Sequence, residues 1–172
     1  LRPMLQDTPD TEWILRPEQR PALDAINAHG LVLDALIRPQ HLPVVLALAQ
    51  HHPTLRIVID HAAKPDIAGG GFEPWATDIA RVARETPAAC KLSGLVTEAA
   101  ADWRVADLQP YVAHLLATFG PQRLMWGSDW PVVELGGGYR RWRDAALELL
   151  RDLPDAARDA VLGGTAATVY RL

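Results

Sequence analysis

Residues 31–61 read LVLDALIRPQHLPVVLALAQHHPTLRIVIDH. The run Leu31 to Ile37 is almost continuously apolar, the pattern of a strand buried on both faces. A helix follows from about Pro39 to His51. Arg56 to His61 is then apolar again until it closes on Asp60 and His61. Strand, helix and strand in that order, with short joints, spell a parallel pair linked by a crossover helix.

The same alternation extends in both directions. Upstream, Leu1 to Leu5 reads as the end of a strand, and Pro17 opens a helix to about His29 at a position where its missing N–H does no harm. Downstream, the loop Ala62 to Phe72 carries the glycines Gly69 to Gly71 and is long enough to serve as a lid. A helix from Glu73 to Glu85, a strand from Cys90 to Leu95 and a helix from Val105 to Phe119 follow, the last ended by Gly120-Pro121. Leu124 to Ser128 is the fifth strand. Beyond the second glycine triplet, Gly136 to Gly138, come helices over Tyr139 to Leu150, Asp155 to Leu162 and Thr165 to Tyr170. Neither triplet has the spacing and strand-to-helix setting of a dinucleotide fingerprint, so both read as loop tips.

Five parallel strands without a linker predict one α/β domain over residues 1–172. Two architectures satisfy the pattern, an open doubly wound sheet and part of a barrel. The chain's 172 residues fall short of the roughly 250 of a closed eight-stranded α/β barrel.

Hydrophobic residues make up 49% and charged residues 22%, which excludes a disordered chain. Seventeen Lys and Arg against 21 Asp and Glu give a net charge of −4 with no basic stripe, which argues against a nucleic-acid partner. The apolar runs are too short for a membrane span, and no signal-like segment opens the chain, so a soluble, cytoplasmic protein is expected. The single cysteine, Cys90, lies in an apolar stretch and reads as a buried, inert thiol.

In parallel α/β folds chemistry gathers where strand C-termini feed into loops. Three of the five strands end in such groups: Ile59-Asp60-His61, Leu92-Ser93-Gly94 and Trp126-Gly127-Ser128-Asp129. Alternation places His61 with Ile57 and Ile59, Asp60 with Val58, and Asp129 with Gly127 and Met125. The bare Gly127 leaves room beside the Asp129 carboxylate. Each residue has a plainer reading: Asp129 as a helix N-cap, His61 as a structural histidine, Trp126 and Trp130 as packing. Lys64 and Lys91 are the only lysines against 15 arginines. Either suits charge neutralisation at the mouth, and Lys91 equally suits the outer surface. His51 and His52 read as surface residues at a helix end.

The segments Ile57 to Pro65 (IVIDHAAKP), Cys90 to Gly94 (CKLSG) and Met125 to Pro131 (MWGSDWP) resemble consecutive strand motifs of the amidohydrolase-related family, and more narrowly its fucono- and rhamnonolactonase-like branch. The resemblance runs from Arg2-Pro3-Met4-Leu5-Gln6 to the closing Gly163 to Leu172. It implies a partial (β/α)8 TIM barrel holding the fourth to eighth strands, without the first three βα units and without the His-x-His pair of the family's first strand.

On the same resemblance the parent barrel is a hydrolase opening a sugar-acid lactone. Asp129 takes a proton from the attacking water and later protonates the leaving oxygen. His61 polarises the carbonyl or holds a metal, while Arg2, Lys64 and Trp130 bind the substrate. A divalent metal such as zinc belongs at most to the complete barrel, and no tightly held metal is expected in these 172 residues. The alternatives are a related metal-dependent decarboxylase and an inactive truncated barrel, whose open edges would favour self-association.

Overall fold

The computed structural model describes residues 1–172, and in it four parallel strands lie side by side in chain order. They are β1 (Val32–Ala35), β2 (Arg56–Ile59), β3 (Ala89–Leu92) and β4 (Leu124–Trp126). The order never reverses, so the sheet has no switch point of the doubly wound kind and winds in one direction, as a barrel wall does. The helices α1 (Arg20–Ala28), α2 (Leu42–His51), α3 (Trp75–Glu85), α4 (Val105–Phe119) and α5 (Gly138–Leu149) follow the expected segments to within a few residues, and α6 (Asp155–Asp159) leads through a wide turn into α7 (Thr165–Tyr170).

Register explains which side chains face which way. Leu33 lies opposite Ile57, Ile59 opposite Cys90, and Cys90 opposite Leu124. These residues join Leu48, Ile79, Val82, Leu108 and Leu115 of α2, α3 and α4 in one continuous core. Alternation sends the intervening residues to the opposite, inner face, where Val32, Val58, Ala89 and Met125 form a second, smaller cluster covered by Ala166, Val169 and Tyr170 of α7. The C-terminal helix therefore plugs the inner side of the sheet. Cys90 is fully buried as expected, and burial pushes its thiol well above the ordinary range.

The expected first strand, Leu1 to Leu5, survives as a single bridge. The Leu1 amino group donates to Val32 O and Asp34 N–H donates to Leu1 O, which is one step of a parallel ladder. The next step needs an N–H from residue 3, and Pro3 has none. The chain leaves the sheet there and turns at Leu5–Asp7.

Candidate active site

His61 reaches the inner mouth by an unusual route. It follows β2 directly, and simple alternation would send it outward with Ile57 and Ile59. Instead His61, Ala62, Ala63 and Lys64 all take positive φ, at 52°, 51°, 59° and 55°. Four successive residues in this region form a left-handed turn, which costs L-residues about 1–2 kcal/mol each. The turn swings the imidazole inward, so the expected shared face is corrected by backbone handedness. Two hydrogen bonds and burial hold it: Lys64 N–H donates to His61 O at 2.8 Å, Trp75 Nε1–H donates to Ala62 O at 2.7 Å, and both alanines are fully buried. Strain of this kind concentrates at functional sites.

Asp129 comes from the far strand. β4 ends at Trp126, and Asp129 also takes a positive φ, 57°. Its side chain caps no helix; its backbone carbonyl accepts from Val133 N–H at 2.9 Å. The carboxylate oxygen Oδ1 lies 3.5 Å from His61 Nε2, and both side chains are about nine-tenths buried. Burial pushes Asp129 above the ordinary carboxylate range, against the opposing pull of His61, Lys64 and Arg2. Burial likewise pulls His61 below the ordinary imidazole value, against Asp129 and Asp60. Burial thus favours a neutral imidazole and makes the carboxylate beside it more basic. Trp130, next to Asp129 in the chain, is 70% exposed, a free indole face rather than a packed one.

The charged residues divide into a rim and a floor. At the rim, Lys64 Nζ lies 3.6 Å from Glu98, and Arg2 lies 3.6 Å from the buried Asp60. On the floor, Lys91 Nζ lies 2.7 Å from Asp60 and 3.1 Å from Asp34, whose carboxylate also accepts from Tyr170 OH. Burial opposes charge on Lys91, but Asp60 and Asp34 outweigh it and raise its affinity for the proton. Burial and the bond to Asp34 push Tyr170 up to about 12. Lys91 is therefore not an outer-surface residue. Alternation from Ala89 already places it on the inner face, a signal present in the sequence.

Of the expected residues Asp129, His61, Arg2, Lys64 and Trp130, the first four share one charged cluster, and Trp130 adjoins Asp129 in the chain. Sequence reasoning gave no role to Glu98, which nothing local in the sequence distinguishes, or to Ser93. Ser93 Oγ lies 2.8 Å from His61 Nδ1. Gly127 stands across from Ser93, and a Cβ there would come within 3.3 Å of the serine Cβ. The room at Gly127 thus serves Ser93 rather than the Asp129 carboxylate.

A catalytic zinc requires three protein ligands as a rule. This chain offers His61 and Asp129, while Asp60 is engaged by Lys91 and Arg2; no three His, Cys, Asp or Glu side chains converge. Its own residues do not make a metal site.

The family model described as Amidohydrolase matches residues 2–172. An L-fucono-1,5-lactonase of Burkholderia ambifaria is 46% identical over 178 residues, covering 100% of this chain and 61% of that protein. An L-fucono-1,5-lactonase of Burkholderia multivorans is 38% identical over 166 residues, covering 86% of this chain and 53% of that protein. The crystal structure of an amidohydrolase from Burkholderia multivorans with bound zinc superposes with a TM-score of 0.94 at 35% identity, over 99% of this chain and 63% of that one. The chain therefore spans somewhat over half the length of these relatives, and its fold is part of their barrel.

Proposed function

The chain belongs to the amidohydrolase family, and from that premise we propose that its site opens a sugar-acid lactone by adding water to the lactone carbonyl. The observation that carries the reading is the 3.5 Å approach of His61 Nε2 to Asp129 Oδ1 at a buried mouth. Both lactonase relatives favour lactone hydrolysis over decarboxylation. In this reading the Asp129 carboxylate accepts a proton from water as the water oxygen bonds to the carbonyl carbon. His61 donates a hydrogen bond to the carbonyl oxygen as it gains negative charge. The tetrahedral centre collapses, the ring C–O bond breaks, and Asp129 returns its proton to the departing oxygen. Arg2 and Lys64 hold the substrate's oxygens, and Trp130 stacks on the sugar carbons.

The test is hydrolysis of L-fucono-1,5-lactone by the protein and its Asp129→Asn variant, followed by acid release. Loss of the general base costs about 10²–10⁴-fold in kcat. An unchanged rate would end this reading.

We further infer that the 172-residue chain holds no tightly bound metal, since it supplies two candidate ligands where a catalytic zinc takes three. Elemental analysis of the purified chain is expected to give less than stoichiometric zinc. A one-to-one divalent ion surviving dialysis overturns the inference.

No helix of the chain is long and apolar enough to cross a membrane. We propose a cytoplasmic location and a small-molecule sugar lactone as the partner, and infer that the isolated chain associates with itself through its exposed apolar side chains.

A further inference from the structure

Ser93 takes no part in the proposed proton transfers, yet it is only 2% exposed and its hydroxyl meets a single partner, His61 Nδ1 at 2.8 Å. The imidazole is held at Nδ1, at its Cβ–Cγ end and beside Nε2. Gly94, at φ +66°, lies so close that a Cβ there would stand 2.7 Å from His61 Cβ and Cγ. Asp129 Oδ1 faces Nε2. The ring therefore has one orientation, and the remaining question is which nitrogen carries its proton.

If Nδ1 carried the proton, Ser93 Oγ would accept and the serine's own proton would have no acceptor. Leaving such a donor unmade in a buried place costs about 1–3 kcal/mol. The Nε2 lone pair would then also face the Asp129 carboxylate, acceptor against acceptor. If Ser93 donates instead, Nδ1 accepts, and the Nε2–H points at Asp129. The serine donor then has its acceptor, and the Nε2–H is left turned towards the Asp129 carboxylate, 3.5 Å away, and the substrate.

We infer that Ser93 is a positioning residue: it donates to His61 Nδ1 and so fixes the proton of the neutral imidazole on Nε2, facing Asp129 and the substrate. The consequence divides the labour at the site. His61 in this state is a hydrogen-bond donor, suited to the carbonyl oxygen, and cannot take the proton from water through Nε2. Asp129 is left as the base. Gly127 fits the same picture, since a Cβ there would press within 3.3 Å of the serine Cβ.

The inference deepens the lactonase reading and rests on it only for what the Nε2–H faces. Its test needs no turnover, so a chain that hydrolyses nothing leaves it standing or falling on its own. Long-range ¹H–¹⁵N correlation NMR of the ¹⁵N-labelled 172-residue chain, above the range in which His61 titrates, reports both ring nitrogens. The His61 signals are assigned by their absence in His61→Gln. The expected result is a protonated Nε2 and an unprotonated Nδ1 bearing the shift of a hydrogen-bond acceptor. In Ser93→Ala the Nδ1–H tautomer gains population, so the Nδ1 resonance moves upfield, towards a protonated nitrogen, and the Nε2 resonance downfield; in Ser93→Cys, with a weaker donor of similar shape, both move part of the way, whereas a downfield Nδ1 with Nε2 still protonated would mean that Ser93 does not set the tautomer. Protonated Nδ1 in the unmodified chain overturns the inference without recourse to any variant, and so does an Nδ1 resonance that stays put in both variants.

Discussion

Asp129 meets two opposed demands, because the burial that strengthens it as a base also makes its charge costly to the fold. Its folded-state proton affinity is raised, so between the ordinary carboxylate value near 3.9 and the raised value the folded chain binds more protons than the unfolded one. Stability therefore falls as pH rises through that window, and the deficit persists at neutral pH. Asp129→Asn removes it: the expected outcome is a higher melting temperature at pH 7 alongside lost activity, with the gain shrinking as pH is lowered towards the ordinary carboxylate value. Thermal unfolding across that range checks it, and a lower melting temperature at pH 7 would contradict it. The sequence made Asp129 and His61 legible because both sit at strand ends in recognisable motifs. It left the tautomer of His61 open, because the partner of Nδ1 comes from β3, 32 positions away in the chain.

The element that sets the site is the left-handed turn from His61 to Lys64, and nothing in its sequence announces it. Glycine or asparagine usually marks positive φ, whereas this turn is His-Ala-Ala-Lys. Tertiary context overrides local preference: Trp75 bonds the Ala62 carbonyl, and the packing around both methyls admits only small side chains. By the same physics the β strands were readable from their apolar runs, while Leu1 to Leu5 misled because one proline nitrogen cannot continue a ladder. The turn makes a specific prediction. Ala62→Val places a β-branched side chain at φ 51° in a fully buried spot, combining backbone strain with overpacking. It is expected to destabilise the chain by about 2–4 kcal/mol, above the 1–3 kcal/mol of overpacking alone, as read from urea unfolding. A cost near zero would mean that the turn is not held in its left-handed form.

At the scale of the molecule, the four strands form an open sheet whose inner face is plugged by α7 rather than closed by further strands. β1 gains a neighbour only at Leu1, and β4 pairs with no strand beyond β3. Such edges invite pairing with another chain, and apolar side chains stand ready near both ends of the sheet. Leu135 is 84% exposed in the turn after β4, and Met4 is 56% exposed beyond the Leu1 bridge. Neither is part of the core, so each can be changed without loss of packing. The isolated chain is accordingly expected to associate as its concentration rises, seen as an increasing weight-average sedimentation coefficient. Met4→Glu with Leu135→Glu should weaken that association while leaving the melting temperature of the dilute chain within the small range of ordinary surface substitutions. The two readouts separate the causes. If the double variant lowers the melting temperature sharply, these side chains serve the fold rather than an interface. If the unmodified chain sediments as one concentration-independent monomer, α7 and the rim already satisfy the sheet, and its edges are not sticky.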